Sequence, residues 1–345
     1  MIWRGWLWIT VLLVCLPAAA QDADRPRAPQ AVSGEAWQRE IPDIRRRMEL
    51  VMGPLPGADR RVPLDVEMAP PERTDRYLRR KVWYTPEPGD RVPAWLLVPH
   101  DATPQSPAPA MLCLHQTNDV GKDEPAGLGG LPNLHYAHEL AERGFVCLVP
   151  DYPSFGEYRY DFQSPDRGYA SGSMKAVWNN LRGVDLLESL REVDAARIGV
   201  IGHSLGGHNA IFTAVFDERI QIIVSSCGFD SLLDYYGGNI KGYVQERYMM
   251  KMQDYLGRPQ DVPWDHYELI ACLAPRHVFV NAPLKDANFR WQSVDRIAAA
   301  ALPLFKLHQA ESHLQIAHPD SDHDFPDTER YTSYELIKRV LRPAQ

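Results

Sequence analysis

Short unbroken apolar runs alternate along this chain with longer stretches in which apolar residues return every third or fourth position. "AMLCLH" at 110–115, "FVCLVPD" at 145–151, "RIGVI" at 197–201, "IQIIVSS" at 220–226, "HVFVNA" at 277–282 and "LQIAH" at 314–318 are runs of the first kind. Such runs mark strands buried on both faces. Met174, Val177, Trp178, Leu181, Val184, Leu187 and Leu190 follow helical spacing instead. Further helices are predicted from Asn133, read as an N-cap, through Arg143, then from about 205, near 291–308 and near 328–341. Buried strands that alternate with helices imply crossover units. The expected fold class is therefore α/β, a mostly parallel central sheet with helices on both faces.

The earlier part of the chain reads differently. "YLRRKVWYT" and "RVPAWLLVP" flank "PEPGD", a hairpin signature, and "VPLDVEMA" at 62–69 precedes them as a further strand. An antiparallel hairpin at one sheet edge follows. Residues 21–61 form an N-terminal extension with an amphipathic helix around "EAWQREIPDIRRRMELVM", its Arg45–Arg47 run read as a solvated face. Before it, Arg4, an apolar core from Trp6 to Leu16 and Ala18-Ala19-Ala20 have the layout of a cleaved export signal over residues 1–20. The expected organisation is a signal at 1–20, the extension at 21–61 and one domain at 62–345, with insertions at about 152–173 and 229–265. Export places the mature chain in a periplasm or outside the cell, with no stable membrane anchor after cleavage.

Charge narrows the partners. The chain carries 37 Lys and Arg against 45 Asp and Glu, a formal net charge of −8, so nucleic acid is not an expected partner. Cys113, Cys147, Cys227 and Cys272 remain beyond the signal, with no ligand spacing for zinc; Cys113 and Cys147 lie inside strand-like runs, as small hydrophobes. No cofactor is implied.

The candidate chemistry sits where one periodicity gives way to the other, in "RIGVIGHSLGGHNAIFTAVF". A strand ending near Ile201 and a helix leaving at Leu205 force a sharp turn at Ser204, which lifts its hydroxyl outward. Gly202 and Gly206 remove the Cβ atoms that such a turn would crowd. The helix N-terminus behind the serine favours negative charge near it. The five-residue pattern is common by itself; its place between a buried strand and a helix is what gives it weight.

Here the chain resembles the α/β-hydrolase superfamily, and within it the exported dienelactone-hydrolase-like and acetyl-xylan-esterase-like serine esterases. The resemblance covers roughly 62–342 and rests on "RIGVIGHSLGGH", "PAMLCLHQT", "GFVCLVPDYPSFGE", "RHVFVNAPLKDANF" and "HPDSDHDFP". It implies a catalytic order of serine, acid, histidine. Ser204 is then the nucleophile. The base belongs after the last strand, where His323 is preferred to the strand-end residue His318. Asp286 in "APLKDANF" fits the acid; Asp230 after "IIVSSCGF" is the rival, and Asp295 reads as an exposed helix residue. For the oxyanion the Leu205 amide is one donor. The second comes from the loop after "MLCLH", where many relatives have His-Gly and this chain has His115-Gln116-Thr117; Thr117 is chosen, with Gln116 second.

Other features have bland readings. His115 braces its loop, His203 and His208 flank the elbow as packing groups, and Lys122, Asp123 and Glu124 form a solvated turn. The Asp320-x-Asp322-x-Asp324 run fails as a calcium loop, because Phe325 stands where glycine is needed and Tyr331 where a glutamate is needed. A metal-dependent hydrolase using His318, Asp320 and His323 is a remote alternative. Aromatic residues crowd both insertions and mainly bury them against the core. The resulting expectation is an ester hydrolase acting through an acyl-enzyme, with a small-molecule or carbohydrate ester as substrate and acetyl esters of plant polysaccharide as the candidate. The alternatives are a serine peptidase or amidase of the same fold and a catalytically silent binding protein.

Overall fold

The computed structural model describes residues 33–163 and 168–342; the export-signal reading lies outside the described residues. The first element is α1 (Gly34–Met52), capped by the Ser33 hydroxyl, which accepts from the Ala36 amide at 3.1 Å. Trp37, Ile41, Ile44, Met48, Val51 and Met52 form its buried stripe, spaced for one helical face. Arg45 and Arg47 are not solvated as expected. Arg45 donates to the Val215 carbonyl at 2.7 Å and Arg47 to the Pro263 carbonyl at 2.5 Å and to Glu268 at 2.7 Å, so these charges fasten α1 to the body.

Two-residue strands β1 (Glu67–Met68) and β2 (Glu72–Arg73) pair with β3 (Tyr77–Tyr84). The longer strand expected over 62–69 shrinks to β1. The hairpin follows as expected, β3 running antiparallel to β4 (Val92–Pro99). Next come β5 (Ala108–Leu114), α2 (Tyr136–Glu142), β6 (Val146–Pro150), α3 (Gly172–Ser189), β7 (Val193–His203), α4 (Leu205–Phe216) and β8 (Ile220–Ser226). The chain ends through α5 (His266–Ala271), β9 (His277–Asn281), α6 (Trp291–Leu307), β10 (Leu314–Ala317) and α7 (Asp327–Leu341). Asn133 does not cap α2. Its amide donates to Asp324, and the helix begins at Tyr136 with no side-chain cap.

The sheet order is β1-β3-β4-β6-β5-β7-β8-β9-β10, with β2 also on β3. Six strands from β6 to β10 run parallel, and the hairpin joins antiparallel at β4. The chain goes from β5 outward to β6 and then back past β5 to β7. That reversal is a topological switch point, where the strand ends leave a crevice for a ligand. The Ser204 turn and the loop after β5 flank it.

Two apolar layers cover the sheet. One gathers α1, α3, α4 and α6 around residues such as Leu112, Val200 and Ile223; the other packs α2 and α7 around Met111, Ile201 and Val224. The strand residues alternate between the two layers, as the two-residue period demands. Tyr152, Phe155, Tyr158, Tyr160, Tyr243, Met249, Met252 and Trp264 are buried, so the loop aromatics chiefly weld the segments that carry them to the core. All four cysteines in the described residues are buried and free. Among the described residues no helix is long and apolar enough to cross a membrane.

Candidate active site

At the end of β7 the backbone turns sharply. Ser204 has φ 52° and ψ −115°, a left-handed value that a side-chain-bearing residue adopts at a cost of about 1–3 kcal/mol. The surroundings enforce it. The Ser204 amide donates to the Ser226 carbonyl at 2.8 Å, tying the turn to the end of β8. Gly202 and Gly206 face each other so closely that a Cβ on Gly202 would stand 2.2 Å from the Gly206 carbonyl oxygen, and one on Gly206 would stand 1.9 Å from that of Leu114. Any larger residue breaks the turn. Ser204 is half-buried, and its hydroxyl has no hydrogen-bond partner among the described residues.

Asp286 and His323 come together from the loops after β9 and β10. The His323 Nδ1 lies 2.9 and 3.0 Å from the two Asp286 carboxylate oxygens. Burial by itself would raise the Asp286 carboxyl. The bond and charge of His323, with the Asn288 and Phe289 amides at 2.8 and 3.2 Å from Oδ1, outweigh it and hold the group below its ordinary value. A carboxylate bonded to Nδ1 places the proton there and leaves Nε2 as the basic nitrogen. The His323 ring stands 4.9 Å, centroid to centroid, from that of His203, the residue before Ser204. The imidazole therefore sits at the elbow.

A buried polar chain supports it. His203 Nδ1 and Ser226 Oγ are 2.9 Å apart, Asn281 Nδ2 donates to the same Ser226 oxygen at 2.9 Å, and it also reaches the Asp324 carbonyl at 2.8 Å. His203 is pushed down to about 3, by burial first and then by His323, so it stays neutral. Ser226 and Asn281 escaped the sequence reading, although polar residues closing buried apolar strands were the available signal.

On the opposite side of the elbow lies the loop after β5. His115 donates from Nδ1 to the Gln116 carbonyl at 2.6 Å and accepts the Tyr152 amide at Nε2, 2.9 Å away, which is the bracing part expected of it. Gln116 turns its side chain to Glu124 at 3.1 Å, whereas Thr117 is exposed with its hydroxyl 2.7 Å from that of Tyr248. The Leu205 amide heads α4, where helix geometry leaves it without an intrahelical acceptor. Lys122 and Glu124 are not a solvated turn. Lys122 is wholly buried against Asp151 at 2.8 Å, and Glu124 is buried, bonding Gln116, Asn118 and the Leu131 amide. Their charges buttress the loop.

The rival residues lie elsewhere. His318 bonds the Ala282 carbonyl at 2.7 Å and Asp295 at 2.9 Å, so Asp295, though half exposed, is the partner of a strand-end histidine. Asp230 is buried with Oδ2 accepting the Arg290 amide at 3.1 Å and does not bond His323; burial foremost, then Asp234 and Asp265, pushes it up to about 8. Asp320 pairs with Lys285 at 2.8 Å on the surface, away from a shared ligand set with His318 and His323. Among the described residues one group, Cys227, Asp286 and His323, brings three donor atoms of metal-binding type within 4.8 Å. The Asp286–His323 bond already occupies two of them.

Comparison with known proteins adds to this geometry. A family model described as "Glucuronyl esterase, fungi" matches residues 163–307. YtaP of Bacillus subtilis (strain 168), by name a hydrolase, is 29% identical over 192 residues, 53% of this chain and 62% of its own length. The 4-O-methyl-glucuronoyl methylesterase of Hypocrea jecorina (strain QM6a) is 28% identical over 140 residues, 36% of this chain and 30% of its own. The chain thus spans less than two thirds of these curated relatives. Among solved structures, a glucuronoyl esterase from Solibacter usitatus superposes with a TM-score of 0.74 at 19% identity, over 95% of this chain and 99% of that one. Sheet order, elbow and likeness agree: the chain has the α/β-hydrolase fold.

Proposed function

We propose that this chain is an exported serine carboxylic-ester hydrolase that works through an acyl-enzyme on esters of plant polysaccharide. One observation carries the reading: the imidazole–carboxylate pair of His323 and Asp286 stands beside a serine held in left-handed backbone geometry. An aliphatic hydroxyl is a weak nucleophile until a neighbouring base takes its proton. Ser204 attacks the ester carbon as His323 Nε2 receives that proton, and Asp286 stabilises the imidazolium. The Leu205 and Thr117 amides stabilise the oxyanion. His323 then returns the proton to the departing alcohol, and water enters by the same route to release the acid.

The substrate class follows from the relatives' names, which place a glucuronoyl group on the acyl side, whereas the sequence resemblance places an acetyl group there. Both are esters of cell-wall carbohydrate. The uronoyl ester is the first choice, because the matched family, the Hypocrea jecorina relative and the Solibacter usitatus structure carry that name. Hydrolysis of a methyl glucuronate ester, of acetylated xylan and of a chromogenic peptide, each with wild type and Ser204→Ala, tests the proposal. Turnover of the uronate ester that disappears in Ser204→Ala supports it. Cleavage of the peptide alone points to a peptidase, and failure of a fluorophosphonate to label Ser204 points to a silent binding protein.

A further inference from the structure

The insertion between β8 and α5 sends one polar group, the Tyr248 hydroxyl, toward the oxyanion side of the elbow. Its backbone is fixed first. The Gly172 amide donates to the Glu246 carbonyl at 2.8 Å and the Ser173 amide to that of Tyr248 at 3.1 Å, so residues 246–248 satisfy donors that the first turn of α3 cannot satisfy itself. The Tyr152 hydroxyl adds a bond to the Arg247 carbonyl at 2.6 Å. Contact there is so close that a Cβ on Gly172 would lie 2.2 Å from that carbonyl oxygen.

From this clamp the half-buried Tyr248 side chain spans two elements. Its ring meets His208 edge-on, 6.5 Å between centroids, and His208 stands one helical turn beyond Ser204 on α4. Its hydroxyl lies 2.7 Å from Thr117 Oγ1 in the loop after β5. Those two elements are the ones that carry the proposed oxyanion amides, those of Leu205 and Thr117. The proton count matters next. Two hydroxyls bonded to each other use one proton between them, and the second remains free for an outside acceptor.

We propose that the Tyr248 hydroxyl, poised by Thr117, is a catalytic residue that donates a hydrogen bond to the oxyanion as it forms on the substrate carbonyl. The inference rests on the serine-esterase reading of the site and deepens it. A phenol is a better donor than an aliphatic alcohol, and its bond strengthens as charge develops, so its effect belongs to the transition state more than to substrate binding. A purely structural role, tying the insertion to the loop, predicts loosened binding instead.

The test uses Tyr248→Phe, Thr117→Val and the double variant in the full chain, on any ester the wild type hydrolyses. Tyr248→Phe keeps the ring against His208, and kcat should fall roughly 10- to 100-fold with KM within about twofold. A trifluoromethyl ketone, which adds the serine to give an anionic adduct, should bind more weakly by the same factor, while an uncharged ketone of the same shape should not. Thr117→Val, which removes the hydroxyl that poises the phenol, should itself lower kcat, by less than Tyr248→Phe does, and the double variant should match Tyr248→Phe. A Tyr248→Phe enzyme within twofold of wild-type kcat, or one that loses affinity for both ketones equally, overturns the assignment. Wild-type protein without ester hydrolysis, or hydrolysis that survives Ser204→Ala, removes the esterase reading itself, a different outcome from activity that depends on Ser204 and ignores Tyr248.

Discussion

A single ring nitrogen of His323 lies within hydrogen-bonding distance of both carboxylate oxygens of Asp286, at 2.9 and 3.0 Å. The two residues arrive from different strand ends, and their meeting decides which nitrogen of the imidazole is basic. Asp286→Asn keeps the size of the side chain but lets its amide donate to Nδ1, which moves the proton to Nε2. Turnover should fall roughly 10²- to 10⁴-fold, with thermal unfolding close to wild type. Activity that survives this change would mean that another carboxylate serves His323, and Asp230 would be the next to substitute.

Asn281 should act on rate from a distance. Its Nδ2 holds the Asp324 carbonyl, next to His323, and the Ser226 hydroxyl, so Asn281→Ala releases the loop that carries the proposed base. We expect kcat to drop by roughly 10-fold or more with KM little changed, because misplacing a catalytic group by about 1 Å costs rate more than affinity. Equal kcat in the variant would show that the loop is held without this bond.

Lys122 and Asp151 form a pair with both side chains fully inaccessible to water. Lys122→Met leaves the carboxylate buried without its cation, which costs about 3–5 kcal/mol in comparable cases. Urea unfolding is the measurement. A loss below about 1 kcal/mol would mean that solvent reaches the Asp151 carboxylate after all.

Two buried groups set opposite pH trends. His208 is pushed down to about 3, by burial first and then by His266, from the ordinary 6.5. Between those values the unfolded chain binds a proton that the folded chain refuses. Stability from this group is therefore complete above pH 6.5 and is lost as pH falls toward 3, at about 1.4 kcal/mol per pH unit. Asp230 is pushed up to about 8 from 3.8, so there the folded chain keeps a proton that the unfolded chain releases, and rising pH favours unfolding across that interval. His208→Phe should flatten the acid side of the stability curve. Asp230→Asn should raise the melting temperature at pH 7 and leave it unchanged near pH 3.5; a uniform shift at both would refute the buried, protonated state.

The strands of this fold were legible because burial on both faces demands unbroken apolar runs, and "AMLCLH" or "IQIIVSS" permit little else. Ser204, Asp286 and His323 were legible as candidates because chain order ties each to the end of a strand that could already be counted. What escaped was whatever depends on a distant partner. Arg45 and Arg47 look like a solvated run until Val215, Pro263 and Glu268 come to meet them, and Lys122 reads as a surface charge until Asp151 encloses it. Asn133 has the composition of a cap but spends its amide on Asp324, 191 positions away. Tyr248 was one aromatic among many in its insertion, and no local pattern singled it out.

The contact of Gly206 with the Leu114 and His115 carbonyls is made by main chain alone. The spacing between the Ser204 turn and the loop that faces it is therefore indifferent to which side chains surround them. Side chains of residues 229–265 other than Tyr248 can change without altering that spacing, provided that the glycine stays.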